Sequence, residues 1–208
     1  MCERDTKHRS PSRICMNLRN YKRYLAYDNP TDEQSVMLLL NKSADELNAM
    51  SMEEVADNVK TITDLLERKD YPLVPKFRIE DTTYGFIPNL NDMTFGENKD
   101  LTKYISDYDT MERALAVAYR PITQQIGDKY LIEEYKGSGA TKDIMLNVPL
   151  DIVFGMQVFF WTLTKDLLKA IPNYMVEQAE NQTSLQESGA ITKKYINSLK
   201  ETLDDMMR

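Results

Sequence analysis

The stretch YPLVPKFRIEDTTYGFI, residues 71–87, decides the fold class because it separates two kinds of sequence. Its two prolines lack the backbone donor that a helix needs and favour extended geometry in the residues before them, so a preceding helix must stop here. Beyond them, apolar and polar residues alternate with a break at Asp81-Thr82, and such alternation is typical of strands. The stretch therefore predicts a β-hairpin with strands at 75–80 and 83–87.

The chain before this hairpin has the pattern of a small helical unit, residues 16–70. An apolar stripe with helical spacing begins at Asn17 and ends near Asn29-Pro30. Three capping-box candidates follow, in which a hydroxyl residue precedes a carboxylate or amide residue by three positions. The pairs are Thr31 with Gln34, Ser43 with Glu46, and Ser51 with Glu54. The third pair opens the strongest apolar stripe, which predicts a helix of about 16 to 18 residues.

The chain after the hairpin begins with two more helices. Each is opened by a capping-box candidate, and we expect Pro121 to end the second helix because proline cannot continue the helical hydrogen bonds. The two boxes are Thr94 with Glu97 and Asp109 with Glu112. Residues 129–135 then have the composition of a short strand.

The C-terminal part is predicted to be helical. The most apolar stretch, residues 148–163, predicts a buried helix, since it is too short and too polar to span a bilayer, which needs about 20 apolar residues. We expect Pro172 to start another helix and a last helix to follow it. The predicted fold is thus α+β and mostly α-helical, with residues 71–208 forming a hairpin followed by a helical bundle. Whether this part packs as one domain with residues 16–70 is left open.

Histidine and cysteine are confined to the first fifteen of the 208 residues, at Cys2, His8 and Cys15. From Met16 onward the sequence therefore has no Ser-His-Asp or Cys-His nucleophilic site, no Cys/His zinc site, and no ligands for haem or iron–sulfur groups. We expect no enzymatic activity, no metal and no cofactor. Residues 1–15 lack the apolar region of a secretion signal, and we interpret them as disordered or as an upstream extension, with Met16 as the alternative start.

The charge balance argues against nucleic acid as a partner. The net charge is −7, from 26 basic and 33 acidic residues, and an acidic protein repels phosphate backbones. No membrane partner is expected either, because no apolar stretch is long enough. The neighbouring acids Glu133-Glu134 and Asp204-Asp205 point in different directions on any regular element, so neither pair predicts acid–base chemistry.

The aromatic run Phe159-Phe160-Trp161 is the best hint of an interaction surface. Three successive rings cannot all face one core from a helix, so at least one of them must point away. The chain also has 12 methionines, which suit adaptable binding surfaces as well as irregular cores. The predicted partner contacts are Met156, Phe159, Phe160, Trp161, Ile191, Tyr195 and Leu199.

Four pieces of the sequence resemble, in order, small proteins encoded among the virion and tail genes of tailed bacteriophages, particularly those that infect Bacteroidetes. They are MNLRNYKRYLAYDN from Met16, TYGFIPNL with DMTFGE in residues 83–97, AVAYRP ending at Pro121, and PLDIVFG from Pro149 followed by Phe159-Phe160. Together they cover most of residues 16–165. The residues taken as structural motif positions are Tyr84, Gly85, Phe86, Pro88, Gly96, Tyr119, Arg120, Pro121, Pro149, Asp151 and Gly155. The chain departs from the pattern at Asn98-Lys99, where an aromatic or apolar pair is expected.

The layout of these pieces is similar to that of phage tail assembly chaperones. The resemblance implies a small, mostly helical, non-enzymatic protein that binds the long tape measure protein in the host cell cytoplasm during tail assembly and is absent from the finished virion. Two alternatives stay open: a structural virion component, such as a neck, connector or tail completion protein, and an enzyme that uses carboxylates alone. Other tail or virion proteins as partners, and a homo-oligomer, are also left open.

Overall fold

The computed structural model describes the backbone of residues 16–181 and the side chains of residues 16–166 and of Lys169. The predicted extension at residues 1–15 and the predicted last helix, which carries Ile191, Tyr195 and Leu199, lie outside the described residues. The chain divides into two compact units between Val158 and Phe159. The helices and strands described below up to Val158 belong to the first unit.

Four helices form the N-terminal part of the first unit, as the sequence predicts. They are α1 (Leu18–Leu25), α2 (Asp32–Leu39), α3 (Ala44–Asn48) and α4 (Met52–Glu67). The helices α2, α3 and α4 each begin with the predicted capping box. At the start of α4, the backbone N–H of Ser51 donates to Glu54 Oε2 over 2.8 Å, and the N–H of Glu54 donates to Ser51 Oγ over 3.2 Å. These boxes satisfy donors that have no partner within the helix.

The sheet has four antiparallel strands in the order β1-β2-β3-β4. The strands are β1 (Lys76–Ile79), β2 (Thr82–Phe86), β3 (Tyr119–Ile126) and β4 (Lys129–Ile132). The first two confirm the predicted hairpin, and β4 confirms the predicted short strand. The strands β3 and β4 are joined by Gly127-Asp128, where Gly127 has a φ of +58°, a conformation that glycine adopts at no steric cost.

The expectation that Pro121 ends a helix is wrong. The helix α6 (Met111–Ala118) already ends three residues earlier and passes directly into β3, in which Pro121 lies opposite Tyr84. The carbonyl oxygen of Pro121 accepts from the N–H of Glu133 over 2.9 Å. Glu133 lies just beyond β4, so Pro121 stands at the end of the hydrogen-bonded ladder between β3 and β4. The backbone N–H group that proline lacks is therefore missing only at the end of this ladder.

The capping box predicted at Asp109 with Glu112 is also wrong. The helix α6 starts at Met111, and no side chain caps it at Thr110. Asp109 instead lies in a short 3₁₀ turn, while Glu112 forms an ion pair with Lys22 of α1 over 2.9 Å. The Glu112 carboxylate, which the local pattern assigns to a helix cap, thus binds a lysine that is distant in sequence.

The remaining helices are α5 (Phe95–Tyr104), α7 (Lys142–Met145) and α8 (Leu150–Asn181). The predicted box of Thr94 with Glu97 opens α5. The expectation that Pro172 starts a new helix is wrong, because α8 continues through it. A proline inside a helix removes one hydrogen bond and need not end the helix. Within residues 16–181, no helix combines the length and the apolar character needed to cross a membrane.

Two groups of buried side chains lie in the first unit. One joins the N-terminal helices to the start of α8 and consists of Met16, Val36, Leu39, Leu40, Ile62 and Leu150. The other is centred on α6, where Met111, Ala114, Leu115 and Val117 have no exposed surface. The fold is α+β and mostly helical, as the sequence predicts.

Candidate functional site

The motif residues of the first unit meet in pairs that the sequence separates widely. Across β2 and β3, Tyr84 lies opposite Pro121, Gly85 opposite Arg120, and Phe86 opposite Tyr119. The other two pieces also meet, because Asn17 forms a β-bridge with Pro149. The N–H of Leu18 donates to the carbonyl of Val148 over 3.0 Å, and the N–H of Leu150 donates to that of Met16 over 2.9 Å.

The two motif glycines that are buried allow close approaches. A Cβ atom at Gly85 would lie 2.8 Å from Cδ2 of the Tyr130 ring, and a Cβ atom at Gly155 would lie 2.5 Å from the carbonyl oxygen of Pro72. The Tyr130 hydroxyl is 2.8 Å from the carbonyl oxygen of Phe86, which holds the ring over Gly85. These glycines position backbone and ring, and they offer no chemistry of their own.

Tyr119 is a fully buried motif residue with a satisfied hydroxyl. Its side chain has no exposed surface, and its hydroxyl donates to the carbonyl oxygen of Val74 over 2.8 Å. Burial raises the pKa of Tyr119 well above its usual value, since the phenolate would be poorly solvated there. Tyr119 therefore acts as a neutral donor that ties β3 to the segment before β1.

A buried ion pair joins two further motif regions. Nη2 of Arg120 lies 2.6 Å from Oε1 of Glu97, and the two side chains are only 11% and 4% exposed. The other carboxylate oxygen of Glu97 accepts from the N–H of Thr94 over 2.6 Å, so one side chain both caps α5 and pairs with β3. Nε of Arg120 is buried and has no hydrogen-bond partner among the described residues. The pair fixes α5 against the sheet.

Tyr135 extends this polar cluster. The Arg120 guanidinium lies 5.9 Å from the centroid of the Tyr135 ring, and the Tyr135 hydroxyl donates to Oδ2 of Asp100 over 2.6 Å. Burial, and after it the neighbouring Asp100 carboxylate, raises the pKa of Tyr135. The hydroxyl thus keeps its proton and serves as a donor to Asp100. The arrangement suits a structural clamp between α5 and the chain after β4.

The remaining motif positions lie on the surface or at helix starts. Pro88 and Gly96 are exposed. Asp151 Oδ1 accepts from the N–H of Ile152 over 3.0 Å at the start of α8, just after Pro149. All four residues lie at a bend or at the start of a helix, and such positions favour proline and short acidic residues.

The predicted contact residues on α8 divide into buried and exposed ones. Met156 has no exposed surface, so its assignment to a partner surface is wrong, and it fills the core instead. In the second unit, Trp161 is 66% exposed, which confirms that one ring of the aromatic run points away from the buried face. Phe159 and Phe160 are half-buried and contact each other edge to face, with centroids 5.2 Å apart. The ammonium of Lys165 lies 5.1 Å from the Trp161 ring centroid.

Several exposed apolar side chains were missed by the sequence reasoning. They are Leu25, Tyr27, Met52, Phe95, Ile126 and Leu131. One of them had a readable signal. Residues two apart in a strand share a face, so in the strand predicted at 129–135 Leu131 lies on the face opposite to that of Tyr130 and Ile132. The exposure of Ile126 and Leu131 identifies the β3–β4 hairpin as a second candidate surface.

The described residues contain no group of three or more His, Cys, Asp or Glu side chains placed to hold a metal ion. Comparisons of the chain with protein-family models, with curated proteins and with solved structures found no match.

Proposed function

We propose that this chain is a non-enzymatic phage tail assembly chaperone that binds the tape measure protein in the host cell cytoplasm while the tail is built. The proposal rests on the resemblance of four pieces of sequence, which meet in two pairs, at the β2–β3 register and at the bridge of Asn17 with Pro149. The single observation that supports the proposed partner surface is the exposure of Trp161 on α8, whose side chain is 66% exposed.

An exposed tryptophan supports a binding role on physical grounds. Tryptophan presents a large apolar area with few rotatable bonds, and it is enriched among the residues that dominate interface energies. A tape measure protein, as the resemblance implies, is a long, helix-rich chain whose apolar stripes aggregate unless they are covered. A helix that presents Trp161 beside the half-buried Phe159 and Phe160 suits the covering of such a stripe. The net charge of −7 favours solubility of the complex.

Co-expression with the tape measure protein of the same phage tests the proposal. We expect the wild-type chain and the tape measure protein to co-purify at moderate salt as a soluble complex. Trp161→Glu removes the aromatic surface and adds a charge, so we expect this variant to lose the complex. Met52→Glu is the matched control, since Met52 is 85% exposed on α4, and this variant should still co-purify.

A second readout uses the tryptophan itself. Trp161 is the only tryptophan of the chain, so a tape measure fragment without tryptophan leaves its fluorescence readable. We expect acrylamide to quench Trp161 strongly in the free chain and weakly in the complex. Equal co-purification of Trp161→Glu and wild type, or quenching that does not change on binding, would contradict this contact surface.

Mass spectrometry of purified virions separates the chaperone from the alternative, a structural virion component. A chaperone leaves the particle, so we expect the chain to be absent from washed virions or present only in traces. Many copies per particle would overturn the chaperone proposal in favour of a neck, connector or tail completion protein.

A further inference from the structure

Of the two edge strands of the sheet, β1 and β4, the second presents a self-complementary edge. The last strand, β4, pairs with β3 on one side and has no strand partner on its other side within the described chain. Its exposed face carries Lys129 and Leu131, and Glu133 continues this face one residue beyond the strand. Leu131 is 59% exposed. Along the exposed face, a positive side chain, an apolar side chain and a negative side chain therefore follow one another, and Leu131 is the central one.

The backbone groups of this edge are arranged symmetrically about the same residue. Lys129 lies opposite Ile126 across the two-residue turn, and the N–H of Glu133 donates to Pro121, so the odd-numbered residues of β4 direct their backbone groups toward β3. Tyr130 and Ile132 consequently direct theirs outward. They flank Leu131 on both sides, as an antiparallel pairing of the strand with itself requires.

We propose that β4 pairs antiparallel with β4 of a second copy of this chain, with Leu131 opposite Leu131 of the partner copy. Tyr130 of each copy would then exchange backbone hydrogen bonds with Ile132 of the other, which gives four bonds in total. Lys129 of each copy would lie directly opposite Glu133 of the other, which gives two cross-strand ion pairs. The two four-stranded sheets would join into one sheet of eight strands.

Charge complementarity selects a second copy as the occupant. An edge lysine normally discourages pairing with another strand, since it places an unpaired charge in the new interface. Here Glu133 stands at the symmetric distance from Leu131, so the charge of Lys129 is matched when the partner is the same strand. Moving the register by two residues would place Leu131 opposite Glu133 or Lys129, which loses both ion pairs and the apolar contact.

The length of the pairing limits its strength. One residue further out, Asp128 would meet Glu134 of the other copy, and two like charges face each other there. The pairing is therefore confined to residues 129–133 on each copy. Such a contact buries less than the roughly 1,200 Å² of a standard interface, so the dimer is weak and concentration-dependent.

Analytical ultracentrifugation of the full chain over a range of concentrations tests the dimer with charge-swap variants. Lys129→Glu and Glu133→Lys each turn two attractive pairs into two repulsive ones, so each should weaken self-association by about tenfold or more. The double variant restores opposite charges across the same register. We expect it to recover the dissociation constant of the wild type.

The matched control is the pair of variants Lys60→Glu and Glu67→Lys, which make the same charge changes at exposed positions of α4. These should leave self-association unchanged. Circular dichroism of every variant checks that the fold is retained, which is expected because Lys129 and Glu133 are exposed. A wild type that stays monomeric at all concentrations, or a dimer that Lys129→Glu does not weaken or the double variant does not restore, would overturn the proposal.

Discussion

At Gly85, any larger side chain would have to displace the Tyr130 ring, which a hydrogen bond holds in place. In Gly85→Ala, the new methyl group would lie 2.8 Å from Cδ2 of Tyr130 and 3.0 Å from Cγ1 of Ile122. The Tyr130 ring cannot swing away freely, because its hydroxyl is held by the carbonyl oxygen of Phe86. We expect the substitution to lower the free energy of unfolding by about 1–3 kcal/mol, measured by urea denaturation.

Gly139→Ala is the control for this prediction. A Cβ atom at Gly139 would meet no heavy atom within 4 Å, and the residue lies in a turn before α7. We expect the free energy of unfolding of this variant to stay within about 0.5 kcal/mol of the wild type. Equal losses at Gly85 and Gly139 would show that contact with the Tyr130 ring is not the cause.

The ion pair of Arg120 with Glu97 makes a second prediction at the level of single residues. In Arg120→Met, the Glu97 carboxylate stays buried without its cation, so we expect a loss of about 3 kcal/mol in the free energy of unfolding. Glu97→Gln keeps an acceptor for the N–H of Thr94.

The double variant completes a thermodynamic cycle for this ion pair. Because it leaves no unpaired buried charge, it should lose clearly less than the sum of the two single variants. Urea denaturation of all four proteins measures the coupling. Strict additivity would mean that the two groups do not stabilise each other.

Among the elements, α4 is capped by Ser51, the residue just before its first turn. Ser51→Ala removes the hydroxyl that accepts from the N–H of Glu54, and we expect it to cost about 1 kcal/mol of unfolding free energy. Ser51→Asn keeps an acceptor at the same position, so its stability should remain close to that of the wild type. The midpoint of urea denaturation measures both. A comparable loss in both variants would argue against the cap as the source of the effect.

Elements determined by neighbouring residues could be predicted from the sequence, and those determined by distant ones could not. The capping boxes of α2, α3, α4 and α5 each depend on two residues three positions apart, and all four were found. The strand β3 was missed because Pro121 is a local signal against a strand. What makes β3 a strand is its pairing with β2 and β4, which a local pattern does not contain.

The same distinction between local and distant determinants applies to the candidate site. The exposure of one ring in the run at 159–161 followed from helix geometry alone. The burial of Met156 did not, because methionine suits a core as well as a surface and only packing decides between them. The pairing of Glu97 with Arg120 requires knowledge of how α5 packs on β3, and the position of β4 at an edge of the sheet requires knowledge of the strand order.

At the scale of the whole chain, negative charge is concentrated in one segment. Residues 31–67 contain nine acids and two lysines, a net charge of −7, and all nine acids are exposed. Salt screens such repulsion, since the Debye length falls from about 30 Å at 0.01 M to about 10 Å at 0.1 M. We therefore expect the midpoint of urea denaturation to rise between these two salt concentrations.

Glu67→Gln provides the matched variant for this salt effect. Glu67 is the last residue of α4, where the helix dipole disfavours an anion and no basic residue lies in the last turn. At low salt the variant should be more stable than the wild type by about 0.3–1 kcal/mol, and the difference should shrink as salt is added. A midpoint independent of salt in both proteins would contradict the prediction.

No connecting residue separates α6 from β3, because Ala118 ends the helix and Tyr119 begins the strand. One inserted residue at this junction would either turn α6 by about 100° or exchange the two faces of β3. The exchange would drive Arg120 into the place of the buried Tyr119. An insertion after Gly139, in an exposed turn, shifts neither face. Homologous chains should therefore differ in length at such turns and keep the same spacing from α6 through β3.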